Sequence, residues 1–423
     1  FGRRFLRSAT CVFQSKSKGR PVKKRAVVLQ SGGSTAVINQ SLVGVIEGVK
    51  QSKSFSQLYG SHYGIMGVLQ DRWSSLASLS STELQRLKQT PSSALGSCRL
   101  KLSRADGVSI VRTLQKKKID AIFLIGGNDS SETGLLLART AATLRYPLQV
   151  LGIPKTIDND LCGMDHTPGY GSVAKFMAIT TQEATLDTRA MPHSDPIKII
   201  ETMGRNSGWI VAAASLGKRK PEDGPHLLYF PERPVSENQF VEDVHAVYRR
   251  LGFAVIVISE TIRDAKGKRI GAPKKYVQKD QFGHAYVEGT AHHLCNLVES
   301  KLHVRARFDK PGTIQRMAMG YISKTDQREA YQCGRHAVRL ASQGKTGVMV
   351  TIERRSSKPY RVSFGDMPLA KVAGREKPLP DAFIHKSNTA MSEAFRRYAL
   401  PLIDGDIPKF TFLGPRPMPL KKR

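Results

Sequence analysis

Short unbroken apolar runs, most of them closed by glycine or serine, alternate along this chain with longer stretches whose apolar positions recur every three or four residues. The runs are AVVLQ from Ala26, IDAIFLIGG ending at Gly127, Leu148 to Ile153, KIIETMG ending at Gly204 and AVIVIS from Ala254. A strand with no polar alternation is one covered on both faces, which is the condition of a parallel sheet. The periodic stretches, such as Val37 to Lys50, predict amphipathic helices, and strand alternating with helix predicts an α/β fold. The region from Gln51 to Ser93 is polar and Ser-rich and predicts helices and loops over a sheet. SKTDQREAYQCGRHAVRLASQGKTGVMVTIERR predicts one more helix followed by a strand. His292-His293 falls among apolar residues on a predicted helix and reads as structural. There is no tandem repeat and no coiled-coil heptad, and no apolar run approaches the length of a membrane span.

With 423 residues the chain can bury two or three cores. Its cysteines, Cys11, Cys98, Cys162, Cys295 and Cys333, are odd in number and widely spaced. That excludes a zinc spacing and points to a reducing compartment. Charge changes the picture more. Lys plus Arg number 66 against 35 Asp plus Glu, a net of +31. Nine basic and no acidic residues lie in Phe1–Arg25, and five basic and none in Lys409–Arg423. Removing those fourteen leaves +17 between the tails. Such a surplus makes a field that attracts a polyanion. The first segment, rich in Arg, Ser and Lys and without acids, has the composition of a mitochondrial targeting remnant or a basic arm, with a cytoplasmic location as the alternative.

The chemistry concentrates in GIPKTIDNDLCGMDHTPGYGS, Gly152 to Ser172. A carboxylate such as Asp158, beside a cation such as Lys155 at the carboxyl end of a parallel strand, stands where open α/β sheets place ligands. DND alone would be an Asx-rich turn. Ahead of it, AVVLQ, the Gly32-Gly33 turn and a helix make a phosphate cradle, since amide groups can face an anion with no Cβ in the way. It is not a Walker loop, because GK[ST] is absent. GGNDSSET repeats the same logic, with Ser130 or Ser131 available to cap the next helix.

PKTIDND closely resembles the signature of the phosphofructokinases, and within them of those that take the phosphoryl group from pyrophosphate. SGGSTAVINQSL, TPSSALGSCRLKL, IGGNDSSET, ETMGRNSGW, YFPERP, SETIRDAKGK, TIQR and YALPLIDGD follow the family's order, so the resemblance runs from about Ala26 to about Pro408. It implies an α/β, phosphofructokinase-like fold of two Rossmann-like three-layer lobes with the active-site cleft between them. Residues 26–168 plus about 314–372 would form the donor lobe, and 169–313 plus about 373–408 the sugar-phosphate lobe. The basic extensions 1–25 and 409–423 would flank them.

The same resemblance implies diphosphate–fructose-6-phosphate 1-phosphotransferase activity with Mg²⁺, and a homo-oligomer. Asp158 would be the base, with Lys155 and Thr156 beside it. Gly33, Arg99 and Asp129 would meet the donor, Asp129 and Asp160 the metal. Met203, Gly204, Arg205, Glu232, Arg307 and Arg316 would meet fructose 6-phosphate, one of the last two arginines across a subunit contact. Asp129 stands where ATP-using relatives have glycine, so its carboxylate would repel a nucleotide's α-phosphate, while Lys155 would neutralise pyrophosphate. Asn128 takes the place of an aspartate common in the wider superfamily. Three features depart from the family pattern: Ser34 for proline, Thr261 for glycine, and the stretch between Arg307 and Arg316 with the MAMG that follows it. The charge leaves a second reading open, in which the fold serves as an RNA-binding component of a ribonucleoprotein such as the mitochondrial ribosome.

Overall fold

A computed structural model describes residues 23–272, 289–405 and 407–413. The basic arm lies outside the described residues up to Val22, its last two residues opening the first strand, and the C-terminal tail lies outside them beyond Leu413. The chain opens with β1 (Lys24–Gln30), α1 (Ile38–Gln51), β2 (Phe55–Ser61), α2 (Ile65–Leu69), β3 (Trp73–Ser75), α3 (Ser81–Lys88), α4 (Arg104–Lys116), β4 (Ala121–Gly126), α5 (Asn128–Thr143) and β5 (Gln149–Pro154). It continues with α6 (Tyr170–Ala190), β6 (Ile197–Thr202), α7 (Trp209–Ala213), β7 (Leu227–Tyr229), α8 (Glu237–Leu251), β8 (Ala254–Ser259), α9 (Thr290–Leu302) and β9 (Ala306–Asp309). Last come α10 (Lys324–Ser342), the hairpin strands β10 (Val348–Ser357) and β11 (Tyr360–Pro368), and α11 (Glu393–Ala399).

Two sheets result. The larger has the order β11-β10-β5-β4-β1-β2-β3, parallel except at its two edge strands. The smaller, β7-β8-β6-β9, is parallel throughout. The apolar runs occupy the middle of both: every residue of β4, β5 and β8 is buried, as unalternating sequence requires. Helices α3 and α4 start with capping boxes, Ser80 with Glu83 and Ser103 with Asp106. Helix α5 begins earlier than the serines of GGNDSSET suggest. Gly127 is its N-cap, and Ser130 and Ser131 lie inside the first turn, Ser131 bonded back to the Gly127 carbonyl at 3.0 Å.

Helices α1 and α10 cross with their backbones nearly touching. A Cβ on Gly44 would collide with the Tyr331 carbonyl, and one on Gly334 with the Ser41 carbonyl, so the crossing requires glycine on each helix. At the start of α10, Asp326 accepts hydrogen bonds from the Gly169 amide at 2.8 Å and the Ser172 amide at 2.9 Å. Those amides open α6, where the first turn has no partners within the helix.

Candidate active site

The larger sheet changes direction between β1 and β4, and such a switch point leaves a crevice beyond the strand ends. The turn Gly32–Ser34 leaves β1 there, the start of α5 leaves β4, and Lys155–Asp160 leave β5. Facing them are the Met203–Ser207 turn after β6 and Glu260 after β8. Together with Arg99, Arg316 and Glu376 they line one cleft. Gly204 sits in this wall with φ 121°, a backbone conformation that favours glycine.

The side formed by the larger sheet is cationic and close-packed. Lys155, 3% exposed, donates from Nζ to the Gly33 carbonyl. Burial, then the neighbouring Arg316, hold its pKa down at about 8, although Asp158 pulls the other way. A Cβ added to Gly33 would lie 2.6 Å from Arg316 Nη1 and 3.5 Å from Arg99 Nη2. Both guanidinium groups therefore stand over the same turn, and glycine is what lets them approach. Ser34 lines the cleft, its Oγ bonded to Ser92 at 3.0 Å and within 3.1 Å of Ser93, so the loop is anchored without proline.

Between the two walls the chain turns through Asp158, Asn159 and Asp160, and both carboxylates line the cleft. Loss of water raises the Asp158 pKa, the Glu260 carboxylate adds to that, and Arg205 and Lys155 oppose it. Asp160 is raised by burial and then by Asp158. Asn128 donates to Asp160 Oδ2 at 3.2 Å, while Asn128 Oδ1 and Asp160 Oδ1 are buried with no hydrogen-bond partner. Two unpaired buried oxygens are costly alone and suit a hard cation. Among the described residues no three His, Cys, Asp or Glu converge on one point. The donor set thus fits Mg²⁺ held by few protein oxygens and completed by substrate phosphates.

The cleft brings together Asp158, Lys155, Thr156, Gly33, Arg99, Asp129, Asp160, Met203, Gly204, Arg205 and Arg316. Arg316, expected at the sugar 6-phosphate, lines the cleft and stands over the Gly32–Ser34 turn. Glu232 and Arg307 do not line the cleft. Glu232 Oε1 accepts from the Gly208 amide at 2.9 Å and the Leu379 amide at 2.8 Å, behind the wall. Arg307, on β9, pairs with Asp195 at 2.7 Å. Thr261, 3% exposed, bonds through its amide to Ser259 and does not crowd the site. The sequence reading passed over Glu260, Asn206, Ser207 and Glu376. Glu260 ends a buried strand, the same signal that marked Lys155. Glu376 carries no local signal, since it arrives on a distant return of the chain, where Asn206 Nδ2 donates to it at 3.1 Å.

The family model described as phosphofructokinase matches residues 25–341. The chain belongs to the phosphofructokinase family. It is 38% identical to the pyrophosphate–fructose 6-phosphate 1-phosphotransferase of Xanthomonas campestris pv. campestris, over 90% of this chain and 91% of that one. To the enzyme of the same name from Rhodospirillum rubrum it is 39% identical, over 91% and 96%. The crystal structure of the pyrophosphate-dependent phosphofructokinase from Nitrosospira multiformis superposes with a TM-score of 0.81 at 35% identity, covering 92% of this chain and 94% of the other. The two-lobed phosphofructokinase fold is thereby established for this chain.

Proposed function

We propose that this phosphofructokinase-family chain transfers a phosphoryl group from pyrophosphate to the 1-hydroxyl of fructose 6-phosphate, giving fructose 1,6-bisphosphate and phosphate. One observation carries the reading: a carboxylate, Asp158, of raised pKa stands between a wall bearing Lys155, Arg99 and Arg316 and an acceptor wall bearing Arg205 and Glu260. The larger-sheet lobe holds the donor and the smaller-sheet lobe the sugar phosphate. Asp158 accepts the proton of the 1-hydroxyl as that oxygen attacks the donor phosphorus, and the bond to the leaving phosphate breaks. Lys155, Arg99 and Arg316 hold the charge spread over the phosphoryl oxygens. Asp160, Asn128 and Asp129 would hold Mg²⁺, which supplies further neutralisation of the donor. Asp129, in the first turn of α5, sets a negative charge where a nucleotide's α-phosphate would approach.

Purified protein given pyrophosphate, Mg²⁺ and fructose 6-phosphate forms the bisphosphate in this reading, and ATP does not replace pyrophosphate. Absence of product with pyrophosphate refutes it. The RNA-binding alternative rests on net charge alone and draws no support from the relatives.

A further inference from the structure

Asn159 lies between two cleft carboxylates and lends nothing to the cleft. It is 0% exposed and adopts φ 54°, a conformation asparagine tolerates better than most residues. Its side chain uses both ends. Oδ1 accepts from the Thr167 amide at 3.0 Å, and Nδ2 donates to the Tyr398 hydroxyl at 3.0 Å. That hydroxyl donates onward to the Asp165 carbonyl at 2.8 Å.

The neighbours of Asn159 are pinned by different means. The Asp158 amide bonds to Thr156 Oγ1 at 3.1 Å and its carbonyl accepts from Ser207 Oγ at 3.0 Å. The Asp160 carbonyl accepts from the Lys377 amide at 2.7 Å. Those bonds hold the backbone at each carboxylate, but neither fixes the rotation of the residue between them. Asn159 does, through a tyrosine on α11 that is itself clamped: Arg354 donates to the Tyr398 carbonyl at 2.9 Å, lies 4.6 Å from its ring centroid and forks onto Asp165 Oδ2 at 2.9 and 3.1 Å. A side chain held at both ends in a buried turn costs little to keep in place once the protein is folded.

We propose that Asn159 and the Tyr398 hydroxyl form a positioning pair that sets the relative aim of Asp158 and Asp160, the base and the metal-holding carboxylate. This rests on the phosphotransferase reading. A displacement of about 1 Å at reacting groups costs on the order of a hundredfold in rate without a matching loss of binding. Tyr398→Phe removes one hydroxyl and keeps the ring. Asn159→Gly keeps the backbone conformation and removes both side-chain bonds.

The test runs steady-state kinetics on parent, Tyr398→Phe, Asn159→Gly and the double variant, with hydrogen exchange followed on peptides covering 156–167. In Tyr398→Phe and Asn159→Gly, kcat should fall about tenfold to a hundredfold, with KM for pyrophosphate and fructose 6-phosphate within about twofold of parent. Because the Asn159–Tyr398 bond is shared, the double variant should lose less than the product of the two single effects. Exchange should quicken in 156–167 and stay unchanged in the strands. Parental kcat in Tyr398→Phe, a rise in KM that accounts for the loss, or additive effects overturn the pair. If the parent forms no bisphosphate, the phosphotransferase reading fails by itself. Exchange in 156–167 then decides the pair: unchanged protection in both single variants overturns it, and quickened local exchange upholds it.

Discussion

Raising the pH should cost this protein a definite part of its stability through His166. The imidazole is 2% exposed, with Nε2 2.6 Å from Glu329 Oε2 and Nδ1 2.7 Å from Asp165 Oδ2. Burial alone would push its pKa down, but Glu329 and Asp165 outweigh that and raise it from 6.5 to about 9. A group whose pKa is higher folded than unfolded stabilises fully below the unfolded value, and the gain is lost as pH rises through the folded one. The window therefore runs from about pH 6.5 to about pH 9. At about 1.36 kcal/mol per pH unit across that window, the charged imidazole contributes about 3 kcal/mol. His166→Gln keeps a polar side chain that never carries charge. Urea unfolding of parent and variant at pH 6.0 and pH 9.5 gives the difference at each pH, in which other titrating groups largely cancel. The parent's advantage should shrink by about 3 kcal/mol at the higher pH. An advantage that is constant or grows would refute the assignment of a charged imidazole to this site.

Further expectations follow from the cleft. Asp158→Asn should lower kcat by about a hundredfold to ten-thousandfold, with KM for fructose 6-phosphate little changed, in a bisphosphate-formation assay. The pH profile of kcat/KM should be bell-shaped. Its acid limb comes from Asp158, raised above ordinary carboxylates, and its alkaline limb near pH 8 from Lys155 losing its proton. Lys155→Arg should move the alkaline limb upward even where activity falls. Asp160→Asn should raise the Mg²⁺ concentration needed for half-maximal rate, read by metal titration.

Much of the site was legible because its pieces end strands. Gly33, Lys155 and Asp158 each follow an apolar run that could only be a buried parallel strand, and ligands gather at such ends. The choice between Glu232 and Glu260 was not legible from local sequence, since both follow short apolar runs. What separates them is placement: Glu232 is held on the amides of Gly208 and Leu379 away from the cleft, whereas Glu260, which accepts from the Arg205 amide at 3.3 Å, lines it. The placement of Arg316 over Gly33 depends on how a 3-10 turn, Gly312–Arg316, folds back across the cleft. Glu376, Tyr398 and Arg354 act from a part of the chain about 200 residues beyond Asp158, so no window of sequence joins them to it. The basic extensions, which carry fourteen of the thirty-one net positive charges, fall mostly beyond the described residues.

The crossing of α1 on α10 leaves no slack within the core of the larger sheet. One helix begins just after the Gly32–Ser34 turn; the other presents Asp326 to the start of α6, which follows the Lys155–Asp160 turn in the chain. A single methyl at Gly44 or Gly334 would act as a wedge between the two helices, pushing on the Gly32–Ser34 turn at one end and on the start of α6 at the other. The same methyl at Gly320, which has open space around it and φ outside the left-handed range, would go unnoticed.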